Sequence, residues 1–301
     1  MPPPATRAAT ARLPVTERQG DLATALRQAL SPGWSTHLMF AEFDGLVQEH
    51  ADHIVVRSPR SPGYYWGNFL LYDRLPTDAD FGPWMQRFDE AIVQPDPCTG
   101  HVAFGMQAQA SAFKAPAAFA QAGFEAFGVS TLTLQPSALR LPSRLPASVF
   151  ELRPLHLPHE AAAVVELSAA CNDEGYEPEG YRAFRAEQMQ RYGDMVAAGL
   201  GHWWGALLDG RVVAALGLFG QRRVGRFQHV ETHPDFRRLG LCRALVHQAC
   251  QHGFGTMGWD TLVMGADPDD VAIGIYRQLG FAFHDTLWML ERRAPEDRAL
   301  T

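Results

Sequence analysis

The sequence predicts a mixed α/β (α+β) fold, a mixed sheet flanked by helices, present as two tandem copies. The chain has 301 residues, which is more than a single hydrophobic core usually organises. In the second half, short apolar runs typical of strands alternate with segments of helical period. A unit made of a helix, a Gly-Phe pair and a strand occurs twice along the chain.

The repeated unit is clearest when residues 123–134 are aligned with residues 280–290 through their Gly-Phe pairs, an offset of 157 positions. The same offset places Phe119 opposite Tyr276 without a gap. We interpret the two units as a duplicated domain. The alternative is that a helix, Gly-Phe and a strand recur by chance in α/β proteins.

Prolines separate the two copies. Pro136, Pro142 and Pro146 punctuate a short polar stretch, which is typical of a linker. The predicted organisation is therefore a first domain with an N-terminal extension, a linker and a second domain, at residues 1–134, 135–148 and 149–301.

The second half is predicted to begin with a strand at 150–153 and two helices. Residues 160–170 are rich in Ala, Val and Leu, and residues 181–198 carry an apolar stripe with a 3.6-residue period. The pair Asp209-Gly210 then separates two apolar runs, which is a strong signal for a two-residue β-hairpin. After the hairpin we expect a strand, a helix, a strand, a helix and a strand, at 225–232, 239–252, 261–266, 269–279 and 281–290.

Charge and cysteine content exclude several classes of function. A net charge of −7 and a pI near 5.9 disfavour nucleic-acid binding, which needs a basic face. Lys114 is the only lysine, so the second half has no lysine nucleophile. The four cysteines are scattered without zinc spacing and favour a reducing, cytoplasmic setting. No apolar run reaches the ~20 residues of a membrane helix, and residues 1–20 lack the apolar stretch of a secretory signal.

The strongest motif lies between the strand that ends at Thr232 and the following helix. It reads Arg237-Arg238-Leu239-Gly240-Leu241-Cys242, with a glycine at the helix start, where backbone N–H groups and the helix dipole favour a bound anion. This run resembles the pyrophosphate loop of the GNAT acyl-CoA-dependent N-acyltransferases, Arg/Gln-x-x-Gly-x-Gly/Ala. Cys242 departs from the pattern but is still a small residue. The alternative is an ordinary capped helix with arginines in its first turn.

A second motif supports the resemblance. Residues 269–281 are similar to the Asn-x-x-Ala-x-x-x-Tyr-x-x-x-Gly-Phe run that closes the GNAT fold, with Asp269 in place of Asn. The resemblance extends from Phe150 to Arg293 and implies acetyl-CoA as cosubstrate. It implies cofactor contacts from the end of one strand, the loop and two helix starts, at Val230, Thr232, Arg237, Arg238, Leu239, Gly240, Leu241, Cys242, Arg243 and Asp269.

The resemblance also implies the catalytic groups. Tyr276 takes the place of the family's general acid, and the alternative is a core tyrosine of an amphipathic helix. For the general base, Glu231 is the first candidate and His229 the second. Strand alternation predicts that Phe227, His229 and Glu231 share one face, and that Gln228, Val230 and Thr232 share the other. The alternative for Glu231 is a buried structural carboxylate paired with an arginine.

The acceptor side is less well defined. Residues 172–181 concentrate carboxylates that would attract a cationic amine, or they form a solvated loop ahead of a helix. In the first half, residues 73–83 hold acids and prolines where a phosphate loop would be, and Phe119 lacks the hydroxyl of Tyr276. We therefore expect a degenerate first copy. The aromatic run at 64–68 is predicted to belong to an interface or the core, and the alternative is that it lines an acceptor cleft between the domains.

Taken with the resemblance, these features predict an N-acetyltransferase that moves an acetyl group from acetyl-CoA to an amine by direct attack. The acceptor would be a small molecule or a peptide, and the protein a monomer or a homodimer without nucleic-acid, membrane or metal partners. Two other functions are compatible with the sequence: a non-catalytic protein that binds or senses acyl-CoA, and a structural pseudo-enzyme.

Overall fold

A computed structural model describes residues 24–143, 145–173 and 175–294. The predicted N-terminal extension before residue 24 lies outside these residues. Within them the chain forms eight α-helices and eleven strands, joined by short turns and 3₁₀ segments.

The strands are numbered in chain order: β1 Leu46–Glu49, β2 His53–Arg57, β3 Phe69–Tyr72, β4 Val102–Met106, β5 Glu125–Leu134, β6 Glu151–Pro154, β7 Gly201–Leu208, β8 Arg211–Gln221, β9 Val224–Thr232, β10 Thr261–Ala266 and β11 Ala282–Arg292. The helices are α1 Ala25–Ala29, α2 Pro32–Asp44, α3 Phe81–Phe88, α4 Ala117–Gln121, α5 Ala161–Ala170, α6 Pro178–Ala197, α7 Leu241–Gly255 and α8 Ala272–Gln278.

All eleven described strands belong to one mixed sheet, in the order β1-β2-β3-β4-β11-β5-β10-β9-β8-β7-β6. The two halves exchange their last strands at its centre. Strand β11 of the second half pairs with β4 and β5 of the first half, and β5 pairs with β10 and β11 of the second. The sheet therefore runs without a break from one half into the other.

Hydrogen bonds reproduce the sequence repeat. The Phe124 backbone N–H donates to the Phe119 carbonyl at 3.0 Å, and at the matching place Phe281 donates to Tyr276 at 3.1 Å. The glycine before each phenylalanine has a positive φ, 83° and 106°. Strands β3 and β4 are parallel, as are β9 and β10. The fold therefore consists of two tandem copies, as predicted, while the exact domain boundaries remain a prediction.

The core of the second half lies on both faces of the sheet. One cluster, which includes Trp204 and Leu245, packs beneath α7 and α8, and the other, which includes Trp203 and Met189, packs beneath α5 and α6. The adjacent tryptophans therefore point to opposite faces, as alternation along a strand requires, and both belong to the core.

The local signals of the sequence correspond to the structure with small shifts. Asp209 and Gly210 have φ values of 48° and 79° and form the predicted hairpin turn between β7 and β8. Helix α8 begins at Ala272, three residues later than predicted, because the Asp270 carboxylate accepts a hydrogen bond from the Ala272 N–H in a turn before the helix.

Candidate functional site

A cleft opens in the sheet between β9 and β10. The two parallel strands pair only from Val224 to Arg226 on β9, although β9 continues to Thr232. On its other edge β10 pairs with β5 over a longer stretch, from Leu262 opposite Leu134 to Ala266 opposite Ser130. Among the described residues, the backbone of 227–232 therefore has no strand partner on its β10 side. We call this opening the β9–β10 cleft.

Strand β9 has a bulge at the cleft. The backbone of His229 has a φ of 44°, in the left-handed region, and the register with β8 shifts between Ala215 and Gly217. A bulge inserts an extra residue into one strand and re-aims the side chains next to it. Such bulges are over-represented beside active sites.

The bulge overturns part of the predicted alternation. Phe227 and Val230 pack in the cluster beneath α7, whereas the His229 ring lies 6.2 Å from the Tyr192 ring on the face of α5 and α6. His229 and Glu231 do share a face, as predicted. The prediction is wrong for Phe227 and Gln228, because the extra residue reverses the alternation on the N-terminal side of the bulge.

The loop after β9 leads to the start of α7 with two residues in the left-handed region. Arg238 has a φ of 65°, and Gly240, the N-cap of α7, has a φ of 84°. The first backbone N–H groups of a helix have no partner within the helix and point outward from its N-terminus. Together with the helix dipole, such N–H groups favour a bound anion, and Arg238 is exposed beside them.

The other predicted loop residues have defined positions. The Arg237 guanidinium donates to the Thr232 carbonyl at 3.2 Å and pairs with Asp173 at 2.8 Å. Arg243 donates to the Ser143 hydroxyl at 2.6 Å and also to Gln278. These two arginines therefore fix the loop to its neighbours.

Tyr276 lies on α8, beside the first turn of α7. Its side chain is 4% exposed, and burial, Cys242 and Asp270 raise its pKa above the ordinary value. Burial also raises the pKa of Cys242 to about 12. Both groups therefore stay protonated near neutral pH. Asp269 is exposed, and its backbone N–H donates to Asp267 at 2.9 Å in the turn before α8.

Glu231 is the centre of a polar network on the opposite face of the sheet. Ser168 of α5 donates to its carboxylate at 2.7 Å, and a guanidinium nitrogen of Arg185 from α6 lies 3.7 Å away. Burial raises the Glu231 pKa above its usual value, with Arg185 and Ser168 opposing the shift. The arginine partner expected for a structural carboxylate is thus present, and the raised pKa also suits a base.

His229 is held neutral. Burial and the nearby Arg185 lower its pKa well below the ordinary value, and its buried Nε2 atom has no hydrogen-bond partner among the described residues. Sequence reasoning missed Arg185 and Ser168. In the sequence, each is a polar residue within an otherwise apolar stripe of its helix. That pattern indicates a buried polar contact only when the strand packed against the helix, β9, is known.

The region that contains the β9–β10 cleft and the loop before α7 matches a known protein family. Residues 161–281 match the model of the acetyltransferase (GNAT) family. Residues 161–281 form a GNAT acetyltransferase domain. The match includes the β9–β10 cleft, the loop before α7 and Tyr276, so the function supported at this level is acyl transfer.

Solved structures show the same fold at low sequence identity. A functionally unknown conserved protein from Staphylococcus epidermidis aligns with a TM-score of 0.64 and 12% identity, over 85% of this chain and 97% of the other. A GCN5-related N-acetyltransferase from Kribbella flavida aligns with a TM-score of 0.57 and 15% identity, over 93% and 100%. A tandem GNAT protein from the clavulanic acid biosynthesis pathway aligns with a TM-score of 0.50 and 14% identity, over 74% of each chain.

No curated protein sequence matches the chain significantly. Among the described residues, none of the helices has the length and apolar character needed to cross a membrane. The same residues contain no cluster of His, Cys, Asp or Glu suited to a metal ion.

In the predicted acceptor loop, residues 172–181, two carboxylates bind other groups of the protein. Asp173 pairs with Arg237, and the Glu177 carboxylate caps α6 by accepting hydrogen bonds from the N–H groups of Glu179 and Gly180 at 3.0 and 2.6 Å. Glu174 lies outside the described residues. The carboxylates of Asp173 and Glu177 thus have a structural role.

The first copy differs from the GNAT domain in its parallel strand pair, at the start of the helix that follows, and at the position that corresponds to Tyr276. Its parallel pair β3 and β4 stays closed to the end: Tyr72 pairs with Met106, and the Gln107 N–H donates to the Tyr72 carbonyl at 2.8 Å. The Asp80 carboxylate lies at the start of α3, where it pairs with Arg74. Phe119, opposite Tyr276, is fully buried. No cleft separates these two strands.

Proposed function

We propose that the protein is an N-acetyltransferase that moves the acetyl group of acetyl-CoA to an amine by direct attack. The main support is the β9–β10 cleft, which leads from the N-terminus of α7 to the bulge at His229. The pyrophosphate would bind the N–H groups at Gly240 to Arg243, and the acyl arm would lie in the cleft along Val230 and Thr232. The closed first copy would bind no acyl-CoA.

The proposed reaction forms one bond and breaks another. The amine nitrogen attacks the thioester carbon, the tetrahedral intermediate collapses, and the C–S bond breaks to release coenzyme A. Tyr276 donates its proton to the departing sulfur, which is consistent with a hydroxyl that burial keeps protonated. The attacking nitrogen becomes positively charged in the tetrahedral intermediate and loses its proton to a base on the other side of the cleft, which leaves a neutral amide.

Glu231 is the proposed base, acting directly or through water. Its raised pKa increases its affinity for a proton, and it lies two residues beyond the bulge on the face of α5 and α6. His229 is the second candidate, although its lowered pKa makes it a weaker base. Arg185 and Ser168 would position the carboxylate rather than react.

We expect Glu231→Gln to lower kcat/KM by about 10²-fold, at the lower end of the effect of losing a general base, because water can relay part of the proton transfer. In the wild type, kcat/KM should fall as the pH falls through the raised pKa of Glu231, because protonation removes the base. The pH profile of coenzyme A release measures both effects. Glu160→Gln is the control, since the Glu160 carboxylate pairs with Arg153 away from the cleft. An unchanged acid limb in Glu231→Gln would exclude this role.

We expect acetyl-CoA to slow amide hydrogen exchange at residues 238–244 and to leave residues 73–84 unchanged. The first segment holds the proposed phosphate-binding N–H groups, and the second is the corresponding part of the closed copy. Hydrogen exchange monitored by mass spectrometry at saturating acetyl-CoA provides the measurement. Protection at 73–84 would contradict the proposal that the first copy is degenerate.

A non-catalytic acyl-CoA sensor is the competing function. Coenzyme A release with a panel of small amines and peptides separates the two, because a sensor binds acetyl-CoA without turnover on any of them. We infer a cytoplasmic protein from the four free cysteines, and a monomer or homodimer.

A further inference from the structure

The interface between the two halves encloses a small cavity on the face of the sheet that carries Glu231. It is lined by His37 and Tyr64 from the first half and by Arg191, Tyr192 and Gln228 from the second. Gln228 precedes the bulge on β9, and the Tyr192 ring lies 6.2 Å from that of His229. The interface cavity therefore adjoins the part of the cleft where the proposed acyl group would react.

The guanidinium group of Arg191 lines the interface cavity, and those of Arg185 and Arg226 act on its two tyrosines. Arg185, Arg191 and Arg226 are 0%, 7% and 7% exposed, and each acts electrostatically on the hydroxyl groups of both Tyr64 and Tyr192. Arg226 also acts on His37, whose pKa falls to about 3 through burial and this positive charge. The histidine is thus neutral, and the positive charge comes from arginine alone.

Carboxylates balance only two of these charges among the described residues. Asp44 lies 2.9 Å from Arg191, and Glu231 lies 3.7 Å from Arg185. Arg226 instead donates to two neutral oxygens of α2, the Gly33 carbonyl at 2.9 Å and the Thr36 hydroxyl at 3.1 Å. Burying a charge without a counter-ion is costly, so this cluster favours a bound anion.

The cluster also retains unused hydrogen-bond donors. Nη2 of Arg191 and Nε of Arg226 are buried and have no hydrogen-bond partner among the described residues, whereas Nη2 of Arg185 faces Glu231 at 3.7 Å. Burial raises the pKa values of Tyr64 and Tyr192, so both hydroxyls remain protonated and able to donate. Guanidinium and hydroxyl donors together match a carboxylate group.

We propose that the interface cavity binds the carboxylate of the acceptor, so that the substrates are amino acids or other amines that carry a carboxylate. This proposal rests on the proposed acetyl transfer. Tyr64 is partly exposed, and its ring lies 5.6 Å from that of Phe184 on α6. The first copy would thus supply part of the acceptor site even though it binds no acyl-CoA.

The test compares matched acceptors with the full-length protein. Coenzyme A release is measured with free amino acids, their C-terminal amides, and the pair 4-aminobutyrate and butylamine, each corrected for its fraction of neutral amine. We expect kcat/KM to be at least about tenfold higher for the acid of a pair, the size of a charge-assisted interaction. Equal rates for acids and neutral partners would overturn the inference while leaving acetyl transfer in place. No turnover with any amine would count against acetyl transfer itself.

Two conservative variants locate the carboxylate site. Arg191→Lys keeps the charge but loses the planar fork, and Tyr64→Phe keeps the ring but loses the hydroxyl. Each should raise KM for the acids several-fold and leave kinetics with the neutral partners unchanged. Arg153→Lys and Tyr72→Phe are matched controls, because they alter a carboxylate-paired arginine and a buried tyrosine outside the interface cavity. An equal loss for acids and neutral partners in both cavity variants would indicate a structural role and overturn the assignment.

Discussion

Tyr276→Phe is expected to lower kcat by about 10²- to 10⁴-fold, the usual effect of losing a general acid, with acetyl-CoA affinity almost unchanged. Tyr276 is buried on α8, beside the first turn of α7. In the proposed reaction the departing thiolate would otherwise leave a negative charge in this buried region. The raised pKa of Tyr276 ensures that the proton is present throughout the neutral range. The measurement is coenzyme A release under saturating acetyl-CoA, with affinity measured separately by calorimetry.

The matched control for this prediction is Tyr72→Phe, which also removes a buried hydroxyl but lies in the first copy. Thermal unfolding of both variants separates chemistry from packing. If Tyr276→Phe kept full turnover and lost only thermal stability, the hydroxyl would be structural. Water or Cys242 would then have to be considered as the proton source.

Gly240→Val is expected to abolish acetyl-CoA binding and therefore turnover. Gly240 has a φ of 84° at the N-cap of α7, a conformation that a β-branched residue adopts only with strain. The added side chain would also occupy space next to the N–H groups that the pyrophosphate needs. Calorimetric titration with acetyl-CoA measures the loss directly, and circular dichroism checks that the fold is retained.

Gly258→Val provides the control for backbone strain. Gly258 has a φ of 70°, and a Cβ atom there would meet nothing within 4 Å. Both variants should therefore carry a similar conformational cost, while only Gly240→Val should lose acetyl-CoA binding. Unchanged affinity in Gly240→Val would show that the loop is only the start of a helix.

Features that depend on neighbouring residues were predictable from the sequence. The Asp209-Gly210 hairpin, the glycine before α7 and the repeat of Phe119 and Tyr276 each leave a short-range signature, and the structure contains all three. The order of elements in the second half followed from apolar periodicity, because each helix and strand buries one face.

Features that depend on distant residues were not predictable. Nothing in the sequence around His229 marks a bulge, because its left-handed backbone depends on pairing with β8 and on the divergence from β10. The contact of Ser168 and Arg185 with Glu231 joins two helices to a strand far along the chain. The interface cavity likewise requires knowing that α2 and the Tyr64 segment pack against α6 and β9.

The exchange of β5 and β11 makes the first copy a structural part of the second. Strand β11 has both of its neighbours in the first half, and β5 has both of its neighbours in the second. Cutting the chain in the linker would leave unpaired rows of N–H and C=O groups in the middle of the sheet, which invite aggregation. The arrangement is that of a strand-swapped dimer joined into one polypeptide. The first half therefore completes the sheet of the second, and the two halves form a single folding unit.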